Sequence, residues 1–317
     1  MVSRKGKHVS CFIQTGQKTC HDVKGRKITC AGSGQDAESA MGMPWPTPRF
    51  ETVGTTAVDL LTGLSWLPDA NPAELPLDWR AALDFIDELN RGRAHGFGDW
   101  RLPNRHELRS LISHETKNPA LPEAHPFANV FPGWYWTSTT AAINSDFAWY
   151  VHMGGGRSFY GAKSQFYLLW PVRGEGNKAV ECKWPVPRFE VEDDGDSVID
   201  HMTKLHWQRS ADLTGEPVVW EDALKSVKEL NERHAAGRQW RLPNINELES
   251  LVDLSRHDPA LSPGHPFGTI QEVYWSSTTS MFEPDWAWAL YAFKGALGVG
   301  IKGYARFHVW TVSDGDL

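Results

Sequence analysis

The chain has 317 residues, of which 41% are hydrophobic and 22% charged. That is enough apolar material for about two cored domains and too much for a disordered chain. The formal charge of −7 argues against nucleic acid as a partner for the body of the protein, and no run approaches the ~18 apolar residues of a membrane span.

Residues 1–44 form an N-terminal arm. Arg4, Lys5, Lys7, Lys18, Lys24, Arg26 and Lys27 face only Asp22 among its first residues. Such a run reads as a solvated tail, with contact to an anionic surface as the alternative. No apolar stretch near the start forms a visible signal peptide. The cysteines point the other way, because three of the four (Cys11, Cys20, Cys30) crowd into the arm and Cys182 stands in the linker. The arm is too polar and glycine-rich to build a core of its own, and a covalent staple would explain its cysteines. Cys20 and Cys30 flank Asp22-Val23-Lys24-Gly25, a turn between two short extended runs, so a Cys20–Cys30 disulfide is expected, with Cys11–Cys182 as the second pairing. Unpaired thiols are the alternative. No Cys-x-x-Cys occurs, which weakens zinc and thioredoxin-like readings. The cysteine usage places the protein outside the cytoplasm, either secreted, periplasmic or on the cell surface.

After the arm the chain repeats itself at an offset of about 140 residues. Trp45-Pro46-Thr47-Pro48-Arg49-Phe50 returns as Trp184-Pro185-Val186-Pro187-Arg188-Phe189. Trp100-Arg101-Leu102-Pro103-Asn104 returns unchanged from Trp240 to Asn244. Tyr135-Trp136-Thr137-Ser138-Thr139-Thr140 returns as Tyr274-Trp275-Ser276-Ser277-Thr278-Thr279. Among the tryptophans only Trp134 and Trp286 lack a tryptophan counterpart. The repeats span 45–174 and 184–317, with a linker at 175–183.

Each repeat holds an early amphipathic helix: Trp79, Ala82, Leu83 and Ile86 stand at helical spacing, as do Trp220, Ala223, Leu224 and Val227. A second helix starts at Asn104 or Asn244, with Glu107 or Glu247 three residues on, a variant of the capping box. Alternating runs at 148–152, 166–172, 286–293 and 306–312 predict antiparallel strands. Two early helices followed by strands make an α+β domain.

These motifs resemble the bacterial Lcl C-terminal domain family. The resemblance rests on Thr62-Gly63-Leu64-Ser65-Trp66, Trp100-Arg101-Leu102-Pro103-Asn104 with Glu107-Leu108, Tyr274-Trp275-Ser276-Ser277-Thr278 and Trp170-Pro171-Val172-Arg173. Repeat two departs at its end, where Ser313 replaces the final arginine. More distantly, Arg-Leu-Pro before a helix is similar to the formylglycine-generating-enzyme branch of C-type-lectin-like folds, which implies two tandem C-type-lectin-like domains with a twisted, mainly antiparallel sheet. That branch contains both enzymes and ligand-binding proteins, so fold analogy decides neither.

The chemistry favours binding. An oxidase of that branch needs reactive cysteines inside the domain, and neither repeat has one. His125 and His265 lack a matched second histidine, so no zinc site common to both repeats is expected. Glu283-Pro284-Asp285 is similar to a lectin calcium tripeptide without its companion residues; no cofactor is expected, and calcium is the alternative. The repeated Trp-Arg-Leu-Pro-Asn is expected to be framework: tryptophan in the core, arginine bridging carbonyls or a carboxylate, asparagine capping. What differs between the copies is the segment after Ser-Thr-Thr, so the candidate ligand residues are Asp146, Arg157, Tyr160 and Lys163 in repeat one and Asp285, Trp286, Lys294 and Lys302 in repeat two. Trp286 is the leading anchor, expected beside an exposed acidic loop. The expectation is a non-catalytic recognition or adhesion protein for a glycan or protein ligand. The alternatives are a structural component of a surface assembly or homo-oligomer, and an accessory subunit of an enzyme complex.

Overall fold

A computed structural model describes residues 11–176, 184–234 and 238–314. The arm contributes a hairpin of β1 (Cys20–His21) and β2 (Lys27–Ile28) and a short helix α1 (Asp36–Ser39). The Cys20–Cys30 disulfide closes this hairpin as expected. The Cys11–Cys182 pairing lies outside the described residues, because Cys182 does. Among the described residues of the arm the basic side chains of Lys18, Lys24, Arg26 and Lys27 are exposed, as expected of a solvated run, but the segment that carries them packs on the body of the protein; Arg4, Lys5 and Lys7 lie outside the described residues. Phe12, Ile13, Thr15, Gln17, Cys20, Gln35 and Asp36 are all buried.

Repeat one runs β3 (Phe50–Val53), β4 (Thr56–Asp59), β5 (Ser65–Trp66), α2 (Trp79–Arg91), α3 (Arg105–Ser110), β6 (Trp134–Thr140), β7 (Phe147–His152), β8 (Ser158–Ala162) and β9 (Val172–Arg173). Repeat two follows the same order as β10 (Phe189–Val191), β11 (Ser197–Asp200), β12 (Leu205–Gln208), α4 (Trp220–Arg233), α5 (Ile245–Ser250), β13 (Val273–Thr279), β14 (Trp286–Tyr291), β15 (Ala296–Ile301) and β16 (Val312–Asp314). The domains are α+β, and every pairing between named strands is antiparallel.

The helices start where the sequence places them. Asp78 caps α2 by accepting from the Ala81 N–H, and Asn104 and Asn244 each form a complete capping box with Glu107 and Glu247. Two expected strands are shorter. Over 166–172 and 306–312 the chain makes single bridges to either side, such as Tyr167 to Leu77 and Leu168 to Tyr135, and only its end joins a ladder as β9 or β16. These runs thread between two partners, so each backbone face pairs for one or two residues only.

The repetition extends into the packing. Trp66 meets Trp170 edge-on at 5.5 Å, and Trp207 meets Trp310 at 5.4 Å. Arg49 clamps Asp59 and donates to the Ser110 carbonyl; Arg188 does the same to Asp200 and the Ser250 carbonyl. Trp100, Leu102 and Leu242 are buried, and Arg101 and Arg241 form two-pronged ion pairs with Glu107 and Glu247. The twice-used motif therefore acts as framework.

The two repeats keep separate cores but share one sheet, in the order β13-β14-β15-β8-β7-β6. The junction is β15 against β8, where Leu297 stands opposite Ser158. These residues are 139 positions apart and occupy equivalent places in the two copies, so the repeats meet about an approximate two-fold axis. The helices α3 and α5 meet about the same axis. Arg105 and Arg109 both reach Glu249 at 3.2 Å, and the Arg105 guanidinium also lies 4.1 Å from the Trp149 ring centre. All three charges are buried. Burial alone would push the Glu249 carboxyl up, but Arg109 and Arg105 outweigh it and hold the group below the usual glutamate value.

Removing that carboxylate would strand two buried guanidiniums. Glu249→Ala should therefore cost about 3–5 kcal/mol of stability in chemical denaturation. A loss under about 1 kcal/mol would show that the seam does not depend on it.

Candidate functional site

Each repeat builds one polar platform from residues far apart in sequence. The strand β6 or β13 ends in a threonine pair, Thr139-Thr140 or Thr278-Thr279. The first threonine's hydroxyl oxygen accepts the opening helix N–H, from Arg105 at 3.0 Å or Ile245 at 3.0 Å. The helix-capping asparagine lies alongside. A lysine directly after β8 or β15, Lys163 or Lys302, donates to the second threonine's hydroxyl, at 3.0 and 2.9 Å. That ammonium also sits over the first residue of the long helix, 4.1 Å from Trp79 or 4.3 Å from Trp220. The indole of each tryptophan is fixed by donation to a strand carbonyl, Thr137 or Ser276, at 2.8 Å in both.

On repeat two the arm covers this platform. The Thr278 hydroxyl donates to the Asp36 carboxylate at 2.7 Å, and the Asn244 amide donates to the Met41 carbonyl at 3.2 Å. Gln17 accepts from the Thr279 N–H and donates to the Thr279 carbonyl, at 2.9 and 2.8 Å. The Lys302 ammonium completes its three donations on the His21 and Asp22 carbonyls at 3.0 and 3.4 Å. Ser277, Thr278, Thr279, Asn244, Trp220 and Lys302 are consequently buried.

On repeat one nothing described covers it. Ser138 and Thr140 are exposed, and Thr139, Asn104, Trp79 and Lys163 are half-buried. The Arg101 side chain is 37% exposed where its counterpart Arg241 is 16% exposed. The repeat-one counterparts of the donors that the arm satisfies on repeat two, namely the Thr139 hydroxyl, the Asn104 amide and two of the three Lys163 N–H groups, have no acceptor among the described residues.

Burial marks the covered platform electrically. It pushes the Asp36 carboxyl up to about 6, against hydrogen bonds from Thr278 and Thr15 that favour the carboxylate. It depresses the Lys302 ammonium to about 7, with Asp22 and Asp285 opposing.

The candidates from the sequence scatter around this geometry. Lys163 lies in the open platform and Asp146 beside it, its carbonyl accepting the Lys163 N–H at 2.8 Å, with an exposed side chain. Lys302 is the covered counterpart and is fully buried, so it is not available as a surface contact. Asp285 and Trp286 are half-buried. The acidic loop before Trp286 is not freely exposed, since Gly25 of the arm turn packs on it so closely that a Cβ there would lie 3.0 Å from the Asp285 nitrogen. Tyr160 packs edge-on to Trp149 in the cluster between the repeats, and Arg157 lies 5.9 Å from the Phe282 ring centre across the same seam. Lys294 is exposed in the turn between β14 and β15, away from the platform. Among the described residues no group of three or more His, Cys, Asp or Glu side chains is arranged to hold a metal ion. Sequence reasoning assigns Trp79 to a helix face and Asn104 to a helix cap, and gives Ser138, Thr139 and Thr140 no role in a site. The available signal was a hydroxyl pair ending a strand in both copies.

A tandem pair of α+β domains meeting about an approximate two-fold axis, each with this platform, defines the class. The chain belongs to the Lcl C-terminal domain family, which it matches over residues 55–173 and again over 196–313. No curated protein matches it. The structural repeat starts earlier than the matched segments, at the Arg49 and Arg188 clamps.

The raised Asp36 value fixes the sign of a pH effect. A carboxyl whose folded value lies above its unfolded one contributes stability below the unfolded value, near 3.8, and that contribution is lost as pH rises through about 6. The difference in unfolding free energy between wild type and Asp36→Asn should shift by about 2 kcal/mol between pH 4 and 7, with wild type relatively weaker at the higher pH. An unchanged difference across that range would mean that Asp36 titrates normally.

Proposed function

We propose that this is a non-catalytic recognition protein working outside the cytoplasm, in adhesion or ligand capture, and that its ligand site is the open platform of repeat one. One observation carries the reading. The same surface exists twice, and one copy is occupied by a polar segment of the chain while the other presents its donors to solvent. The Cys20–Cys30 disulfide supports the location, since such bonds persist in oxidising compartments. The chemistry of the platform supports binding: it offers hydroxyl, amide and ammonium donors with an aromatic face, an inventory that suits a polar glycan or protein ligand. Neither repeat contains a cysteine for thiolate chemistry.

A glycan array and immobilised surface-protein ligands, probed with wild type and with Thr139→Val/Lys163→Ala, test it. Binding should fall 5- to 150-fold in the variant, about 1–3 kcal/mol, while its melting temperature falls by only a few degrees, because the half-buried Thr139 and Lys163 give up one hydrogen bond each, from the Arg105 N–H and to the Thr140 hydroxyl. Ligand binding equal in the two proteins would remove the platform from the site.

A further inference from the structure

The two platforms differ in occupancy far more than in chemistry, and the arm on repeat two works as a bound ligand would. It supplies a carboxylate to a threonine hydroxyl (Asp36 to Thr278), a main-chain carbonyl to the capping amide (Met41 to Asn244) and two consecutive main-chain carbonyls to the ammonium (His21 and Asp22 to Lys302). Repeat one holds the same donors in the same framework, with the same hydroxyl-to-helix and lysine-to-threonine hydrogen bonds. Its groove continues between α2 and the Trp100 to Leu102 segment, lined by Leu83, Ile86, Trp100 and Leu102. In repeat two the corresponding groove, with Leu224, Val227, Trp240 and Leu242, is bordered by Gly32, Ser33, Gly34 and Glu38 of the arm.

Resting on the reading of repeat one as the ligand site, we infer that its occupant is a segment of polypeptide from another protein. That segment presents an aspartate or glutamate carboxylate to Thr139 and main-chain carbonyls to Lys163 and Asn104, as the arm does on repeat two. Three of the four matched contacts are to main-chain carbonyls or span the spacing of a folded loop, and a glycan has no counterpart for consecutive peptide carbonyls. The correspondence is incomplete on one side. Glu115 takes the Lys18 and Thr19 N–H groups of the arm, and its counterpart in repeat two is Ser255. The partner segment therefore lacks an equivalent of that N–H pair at this edge.

The probe is a synthetic peptide of residues 11–42, with Cys11 replaced by serine and the Cys20–Cys30 disulfide formed, titrated into the full-length chain by calorimetry. One peptide should bind per chain. Thr139→Val or Lys163→Ala in the protein, or Asp36→Ala in the peptide, should each weaken binding at least tenfold. Binding that responds to Thr278→Val but not to Thr139→Val would mean that the peptide displaces the resident arm, and would overturn the inference. So would no binding, or chain dimers by light scattering that form through arm exchange. If a glycan binds in a Thr139-dependent manner while the peptide does not, the ligand is not polypeptide although the platform remains the site. Thr139-independent binding of every ligand would instead defeat the functional reading itself.

Discussion

The Glu249 carboxylate sits between two buried guanidiniums contributed by the other repeat, and the relative placement of the domains depends on that triad. Arg109 and Glu249 occupy equivalent positions in α3 and α5, so an approximate two-fold axis brings them face to face. Identical copies would set like charge against like charge there, at a cost that a buried site cannot screen. Covalent duplication lets the two copies diverge, one to arginine and one to glutamate. The β15–β8 junction adds little backbone pairing of its own, a single register pair, and around it lie the small cluster of Ala141, Trp149 and Ala296 and the ring contacts of His114 with Trp288 and Arg157 with Phe282. Charge complementarity at the axis is thus satisfied in the same docking that makes the sheet continuous.

The same seam positions the arm. Gln17 bridges the His114 carbonyl of repeat one and the Thr279 carbonyl of repeat two, and the Asn246 amide of α5 holds the Ile13 carbonyl. The described part of the arm is held by hydrogen bonds as well as by the apolar contacts of Phe12 and Met41, because many of its polar groups meet partners already oriented by the framework. Its occupancy of one platform leaves the two repeats differently exposed although alike in framework. Repeat two becomes a closed scaffold that seats the arm, and repeat one keeps the exposed donors.

Much of the framework is legible from residue order. The helix starts follow from Asn104 and Asn244 with glutamates three residues on, since a local hydrogen-bond pattern needs only local sequence. The Cys20–Cys30 hairpin follows from a turn between two short runs. The Phe166 to Val172 and Arg306 to Val312 segments alternate like full strands but are not, because alternation reports which side chains face inward, not how many residues find a ladder partner. Lys163 is a candidate because the copies diverge after the threonine pair, whereas Asn104 reads as a helix cap and Thr139 repeats without change, so nothing in the residue order marks it.

The sequence by itself determined the duplication, the α+β framework of each copy and the arm's disulfide, all of which arise from spacing, capping and composition within short stretches. It could not determine that the arm is buried, because a polar segment is solvated or buried according to whether complementary donors wait elsewhere, and Lys302 lies some 280 residues from the carbonyls it holds. Nor could it tell the two platforms apart. Thr139 and Thr278 are the same residue in the same motif, and only tertiary packing decides which of them meets a carboxylate from the chain and which faces solvent.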